Sequence, residues 1–144
     1  MGKTKIVIGL LVIALSVTAF TAPAIQAKTK NAVIWKMNSK KVTYRKSIAV
    51  SKYLGPKAGW ENIIGYGKKM SKKISKKAKF YIIKDYAHPF SSFKKVSKKA
   101  FIKQVKSYDA KKFKQLGKTY YWGMACKITT KNGKVVKIKQ VFQS

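Results

Sequence analysis

GKKMSKKISKKAKF, residues 67–80, carries seven lysines and no acid in fourteen positions. Whether it coils or extends decides the fold. Trp60, Ile63, Ile64, Gly67, Met70, Ser71, Ile74 and Ala78 recur at helical spacing. Read as a strand, the same run puts Lys72 and Lys76 on one face with Met70 and Ile74. The spacing therefore predicts a helix over 60–78, weakened in its first half by Gly65 and Gly67. On such a helix, lysines four apart repel by ~0.2–0.5 kcal/mol a pair. An anion laid along that face relieves the repulsion; the alternative is a merely solvated face.

Downstream, KFYIIKDY (79–86) reads as a central strand and HPFSSF (88–93) as a loop. Ser97 opens a second helix, SKKAFIKQVKSY, whose Phe101, Ile102, Val105 and Tyr108 share an apolar stripe. Residues 109–116 extend it until Gly117 stops it. Upstream, NAVIWKM (31–37) and KVTYR (41–45) flank Asn38-Ser39 as a hairpin. SIAVSKYLGP (47–56) reads as a short helix closed by Gly55-Pro56.

The C-terminal segment contains Asn132-Gly133, a strong turn signal. A two-residue turn sets Ile128 opposite Lys137, so the two apolar faces diverge. A three-residue loop, Lys131-Asn132-Gly133, pairs Ile128 with Val136 and Cys126 with Ile138. It also leaves Lys127, Lys137 and Lys139 on the other face. The expectation is a type I turn with Gly133 as the left-handed bulge residue. Cys126 then lies mid-strand on the apolar face as a small core residue.

The whole chain has 34 Lys+Arg against 3 Asp+Glu, a formal net charge of +31, and Arg45 is its one arginine. An AT-rich genome favours lysine codons, but codon bias does not explain the near-absence of acids. The amino terminus has a basic MGKTK, an apolar run at 6–20 and a small-residue TAPAIQA, the three parts of a secretory signal. Cleavage is expected after Ala27, with Ala24 as the alternative. Removing residues 1–27 takes away Lys3 and Lys5 and no acid, leaving 117 residues with a net charge of +29. That length suits one small cationic domain, 28–144. A secreted location, extracellular or wall-associated, follows as an expectation. Cys126 is the only cysteine, so no intrachain disulfide forms.

Chemistry finds few candidates. His88, with Asp85 or Asp109, is the only available base for Cys126, and no motif spacing links them. Glu61, Asp85 and Asp109 are the only carboxylates. Glu61 beside Trp60 reads either as a sugar site or as an acid on a helix's first turn. GYGKK (65–69) lacks phosphate-loop spacing. No catalytic residue, metal site or cofactor is expected, and no enzymatic activity.

What remains is charge. KK-(Met/Ile/Val)-SKK units occur at 68–73, 72–77 and 94–99, each with an apolar anchor inward and lysines outward. The residues expected to bind a polyanion are Lys68, Lys69, Lys72, Lys73, Lys76, Lys77, Lys94, Lys95, Lys98, Lys99, Lys127, Lys137 and Lys139. Ser71, Ser75 and Ser97 either donate to phosphate or cap and hydrate the backbone. Lysine meets phosphate as a mobile point charge rather than as a rigid fork, which suits a repetitive polymer. The expected partner is an anionic cell-wall polymer of teichoic-acid type, with an anionic membrane surface or extracellular DNA as further possibilities. The alternative function is a cationic antimicrobial or membrane-active effector working through helices at 60–78 and 97–108.

TAPAIQA followed by KTK, KKVSKKAFIKQVKSY, and the closing YYWGMACKITTKNGKVVKIKQVFQS together resemble the small lysine-rich secreted proteins of lactobacilli and related lactic-acid bacteria. The resemblance covers most of the chain after residue 27. It implies a Gram-positive extracellular setting and carries over no functional residue. The fold expected from the whole sequence is α+β: a small antiparallel sheet, including the C-terminal β-hairpin, packed with two or three lysine-rich amphipathic helices.

Overall fold

A computed structural model describes residues 26–144. The expected signal segment, apart from Gln26 and Ala27, lies outside the described residues. Eight strands form one mixed sheet. They are β1 (Lys28–Met37), β2 (Lys41–Ala49), β3 (Ile63–Ile83), β4 (Phe93–Val96), β5 (Lys111–Gln115), β6 (Lys118–Trp122), β7 (Met124–Lys131) and β8 (Lys134–Gln140). Helices are α1 (Val50–Tyr53), one 3₁₀ turn (Pro56–Ala58) and α2 (Lys98–Ser107).

Five strands close a ring. β1 pairs antiparallel with β2 and β7, β2 with β3, and β7 with β8, while β8 returns parallel to β3. α2 lies in the connection between β3 and β7. A closed five-stranded barrel with this Greek-key connectivity is the architecture of the OB-fold. Its interior is filled by Ala32, Ile34, Val42, Tyr44, Met124, Cys126, Ile128, Val135 and Ile138. Phe101 and Val105 of α2 pack on the same core, so the apolar stripe expected at 97–108 is buried inside the fold.

The α+β expectation is therefore corrected: the described residues form a β-barrel with one α-helix of ten residues and one of four. The largest change is at 60–78, where no helix forms and residues 63–78 belong to β3. Two bulges reconcile extension with the sequence. From Tyr44↔Met70 to Lys46↔Tyr66, β3 spends two more residues than β2. Gly67, at φ +80°, turns the chain there. From Ile74↔Val135 to Lys79↔Lys137, β3 spends three more residues than β8. Bulges break strict alternation, so Lys76 leaves the face that Ile74 occupies. Lys72 does share the Met70–Ile74 face, but it lies half-buried at the barrel mouth. Ladder pairing on both sides of β3 outweighs the weak helical preference of the segment.

Two smaller expectations are also corrected. Residues 109–116 do not prolong α2; Lys111–Gln115 form β5, joined to β6 by Leu116 and Gly117 at φ 51° and 74°. The C-terminal hairpin has a two-residue turn, with Asn132 and Gly133 both at positive φ (54° and 75°) and Lys131 opposite Lys134. An irregularity between Thr130↔Val135 and Thr129↔Lys137 then shifts β8 by one residue. Ile128 faces Ile138, Cys126 faces Gln140, and the apolar faces agree after all.

A second, smaller core of Val50, Leu54, Ala58, Ile64 and Tyr120 joins the β5–β6 hairpin to α1. Tyr53 donates its hydroxyl to the Thr119 carbonyl at 2.8 Å, and Gln115 donates to the Ala58 carbonyl at 3.1 Å. The single arginine belongs to this junction. Its guanidinium lies 3.5 Å from the Tyr121 ring centroid and 5.3 Å from that of Trp35, and its Nε donates to the Gly67 carbonyl at 3.1 Å.

Candidate polyanion site

Four separate segments deliver lysines to one groove. The β1–β2 turn supplies Lys40 and Lys41, and the β3 bulge supplies Lys73, Lys76 and Lys77. α2 contributes Lys98 and β8 contributes Lys134. The groove holds about 830 Å³, and Asn38, Ser39, Ile74 and Ser75 complete its lining. No carboxylate lines it.

Local chemistry explains why these segments meet. Asn38 Oδ1 accepts from the backbone N–H groups of Lys40 and Lys41 at 2.8 and 2.9 Å, closing the turn as an Asx motif. The Lys40 carbonyl then accepts from Ile74 N–H at 2.8 Å, pinning the turn to the point where β3 starts to bulge. Ser75 Oγ accepts from Lys77 N–H at 3.3 Å within the bulge. Lys98 Nζ donates to the Ser39 carbonyl at 2.6 Å, bringing the first turn of α2 to the same wall. Of the serines singled out in the sequence, only Ser75 lines the groove. Ser97 caps α2, accepting from Ala100 N–H at 3.1 Å, and Ser71 Oγ sits 2.9 Å from Thr43 Oγ1.

Electrostatics favour an anion. Among the described residues no lysine or arginine lies within ion-pair distance of a carboxylate, the one basic neighbour of an acid being His88, 3.0 Å from Asp85, so the groove lysines have no carboxylate partner. Two like charges 4 Å apart repel by about 1 kcal/mol even in water. A phosphate between them turns that cost into attraction.

The thirteen sequence-expected lysines divide. Lys73, Lys76, Lys77 and Lys98 line the groove. Lys72 lines a neighbouring recess of about 290 Å³ at the barrel mouth, with Lys28, Lys30 and Lys131. Lys95, Lys127, Lys137 and Lys139 share the outer face of the sheet, as the pairs Lys127↔Lys139, Lys139↔Tyr81 and Tyr81↔Lys95 require. The others stand apart. Lys68 and Lys69 are exposed on the Gly67 bulge, Lys94 projects opposite to Lys95, and Lys99 is on the outer side of α2. Sequence reasoning missed Lys40, Lys41 and Lys134. Their signal was present, because each flanks one of the two turn motifs.

The candidates for chemistry do not assemble. Cys126 is 1% exposed inside the barrel, and burial pushes its thiol well above the ordinary range. His88 is on an exposed loop, its side chain 71% accessible. The hydrogen bond from His88 holds the Asp85 carboxyl below its usual value. Glu61 accepts from the backbone N–H groups of Ser51 and Asn62, both at 3.0 Å, and bonds from Ser51 lower its pKa. It therefore caps the first turn of α1, a helix ten residues upstream. Among the described residues no three His, Cys, Asp or Glu side chains cluster as a metal site, and no helix is long and apolar enough to cross a membrane. No protein-family model matches the chain, and no match is found among curated proteins or solved structures.

Proposed function

We propose that this protein is a secreted, non-catalytic binder of anionic cell-wall polymers, with phosphate chains of teichoic-acid type as its ligand. One observation carries the reading: seven lysines from four segments converge on a single groove that no carboxylate lines. The hairpin loops and the second and third strands of a five-stranded Greek-key barrel are where such folds receive oligomeric ligands. Fold alone does not assign function, so the weight rests on the lysines. The extracellular setting rests on the sequence of residues 1–27.

Binding through point charges predicts shallow selectivity and steep salt dependence. The test is a pull-down on purified walls, with and without teichoic acid, across a salt series. Retention should require the phosphate polymer and vanish near ~1 M salt, where screening acts within about 3 Å. Retention that ignores either the polymer or the salt overturns the reading.

The membrane-active alternative loses its premise. No helix forms at 60–78, where residues 63–78 lie in β3, and the apolar residues of α2 are spent in the core: Phe101 is 0% and Val105 5% exposed.

A further inference from the structure

The groove opens onto more lysines. Along the outer face of β3, Lys73 at the groove is followed, past the bulge, by Lys79 and Tyr81, and β8 runs parallel beside them. Lys134 precedes Val135, the partner of Ile74; Lys137 lies opposite Lys79; Lys139 lies opposite Tyr81. The row widens to β4 through Lys95 and to β7 through Lys127. No acid interrupts it.

We infer that groove and outer face form one track, along which a single linear phosphate polymer runs from the β1–β2 turn to β4. This rests on the reading of the groove given above and extends it to ligand length and chemistry. From Lys134 to Lys139, five steps of about 3.3 Å make roughly 16 Å of strand. A four-nucleotide chain carries only three phosphates, too few to meet the seven groove lysines and the outer-face lysines together. A chain that spans both gains the second contact at high effective concentration.

The track reads phosphate, not its substituents. The two rings on this face already carry amines: Lys139 Nζ is 4.0 Å from the Phe93 centroid and Lys137 Nζ is 5.7 Å from that of Tyr81. The rings act as pads that hold charges in place, so a nucleobase stacking on Tyr81 or Phe93 must displace a lysine.

The experiment measures affinity for labelled dT4, dT20 and an inorganic polyphosphate of about the charge of dT20. It uses the wild type and a variant with Lys79→Gln, Lys95→Gln, Lys127→Gln and Lys137→Gln, all four exposed. A thermal melt checks that the variant is folded, and the wild-type length series stands without it. The expected result is that dT20 and polyphosphate bind at least tenfold tighter than dT4 to the wild type. The variant should lose about tenfold for the long chains and less than twofold for dT4. Equal affinity for dT4 and dT20, or equal losses for both, overturns the track while leaving the groove reading intact. A tenfold preference for dT20 over polyphosphate overturns the phosphate-only recognition. Failure of every chain to bind overturns the groove reading, and the track with it.

Discussion

Lys98 Nζ donates to the Ser39 carbonyl at 2.6 Å, which fastens α2 to the β1–β2 turn across one wall of the lysine groove. The amine is thus both a member of the basic surface and a strut that shapes it. Lys98→Met should remove both roles. An exposed charge-assisted bond contributes about 1 kcal/mol, which lowers the melting temperature by roughly 4 °C for a domain of this size. Polymer affinity should fall more than for Lys99→Met, which removes an equal charge outside the groove. Matching affinity losses in a titration of the two variants would count against Lys98 as a groove residue, and an unchanged melting temperature would count against the strut.

Arg45 separates charge from structure. Its guanidinium stacks 3.5 Å from the Tyr121 centroid and donates to the Gly67 carbonyl. Lysine cannot reproduce the planar stack. Arg45→Lys should therefore cost about 1–2 kcal/mol of stability while leaving polymer affinity within twofold. Denaturant midpoints and binding isotherms on the same samples check both halves.

Gln140 is a buried polar residue, 1% exposed, with its amide fully engaged. Oε1 accepts from Ile83 N–H at 2.8 Å, and Nε2 donates to the hydroxyls of Tyr108 and Tyr86 at 2.7 and 3.1 Å. Gln140→Leu fills similar space but strands the Ile83 N–H. The expected loss is about 2 kcal/mol, read as a lower urea midpoint at an unchanged slope.

High pH should weaken the fold through the same network. Burial raises the Tyr108 hydroxyl to about 12, and Tyr44 is also raised, chiefly by burial. A folded-state pKa above the unfolded value of about 10 keeps its contribution intact below pH ~10. The contribution is then lost as pH climbs toward 12. Every other pH-dependent contribution is common to wild type and Tyr108→Phe, so the gap between them reports Tyr108. Tyr108→Phe should be less stable at pH 8, where it lacks the Gln140 bond, and the gap should narrow by pH 11.5. A constant gap in urea midpoints contradicts the burial of this hydroxyl.

Much of the barrel was legible locally. The β1–β2 hairpin, the Ser97 cap, the α2 stripe and the core position of Cys126 all follow from turn chemistry and periodicity over short windows. The long strand was not, because its two bulges place Lys68–Lys69 and Lys76–Lys77 outside the alternation that identifies a strand. The Asn132-Gly133 signal pointed to a two-residue turn, and an irregularity in β8 restored a register that strict alternation forbids. Ring closure depends on β3 meeting β8 in parallel, a pairing between residues about sixty positions apart. The groove has the same long-range origin. Lys41, Lys76, Lys98 and Lys134 share no local pattern; backbone and side-chain bonds from Lys40, Ser39 and Ile74 bring them together.

The most direct test compares two variants that lose equal charge. One replaces Lys41, Lys73, Lys76 and Lys77 with glutamine; the other replaces Lys57, Lys103, Lys111 and Lys112, exposed lysines that do not line the groove. Affinity for a single-stranded phosphate polymer is measured against salt for each. At ~0.7 of slope per phosphate contact, the groove variant should lose nearly three units of log–log slope, and the control should keep close to the wild-type value. Equal losses in the two would contradict the account, leaving an alkaline surface with no preferred place for its ligand.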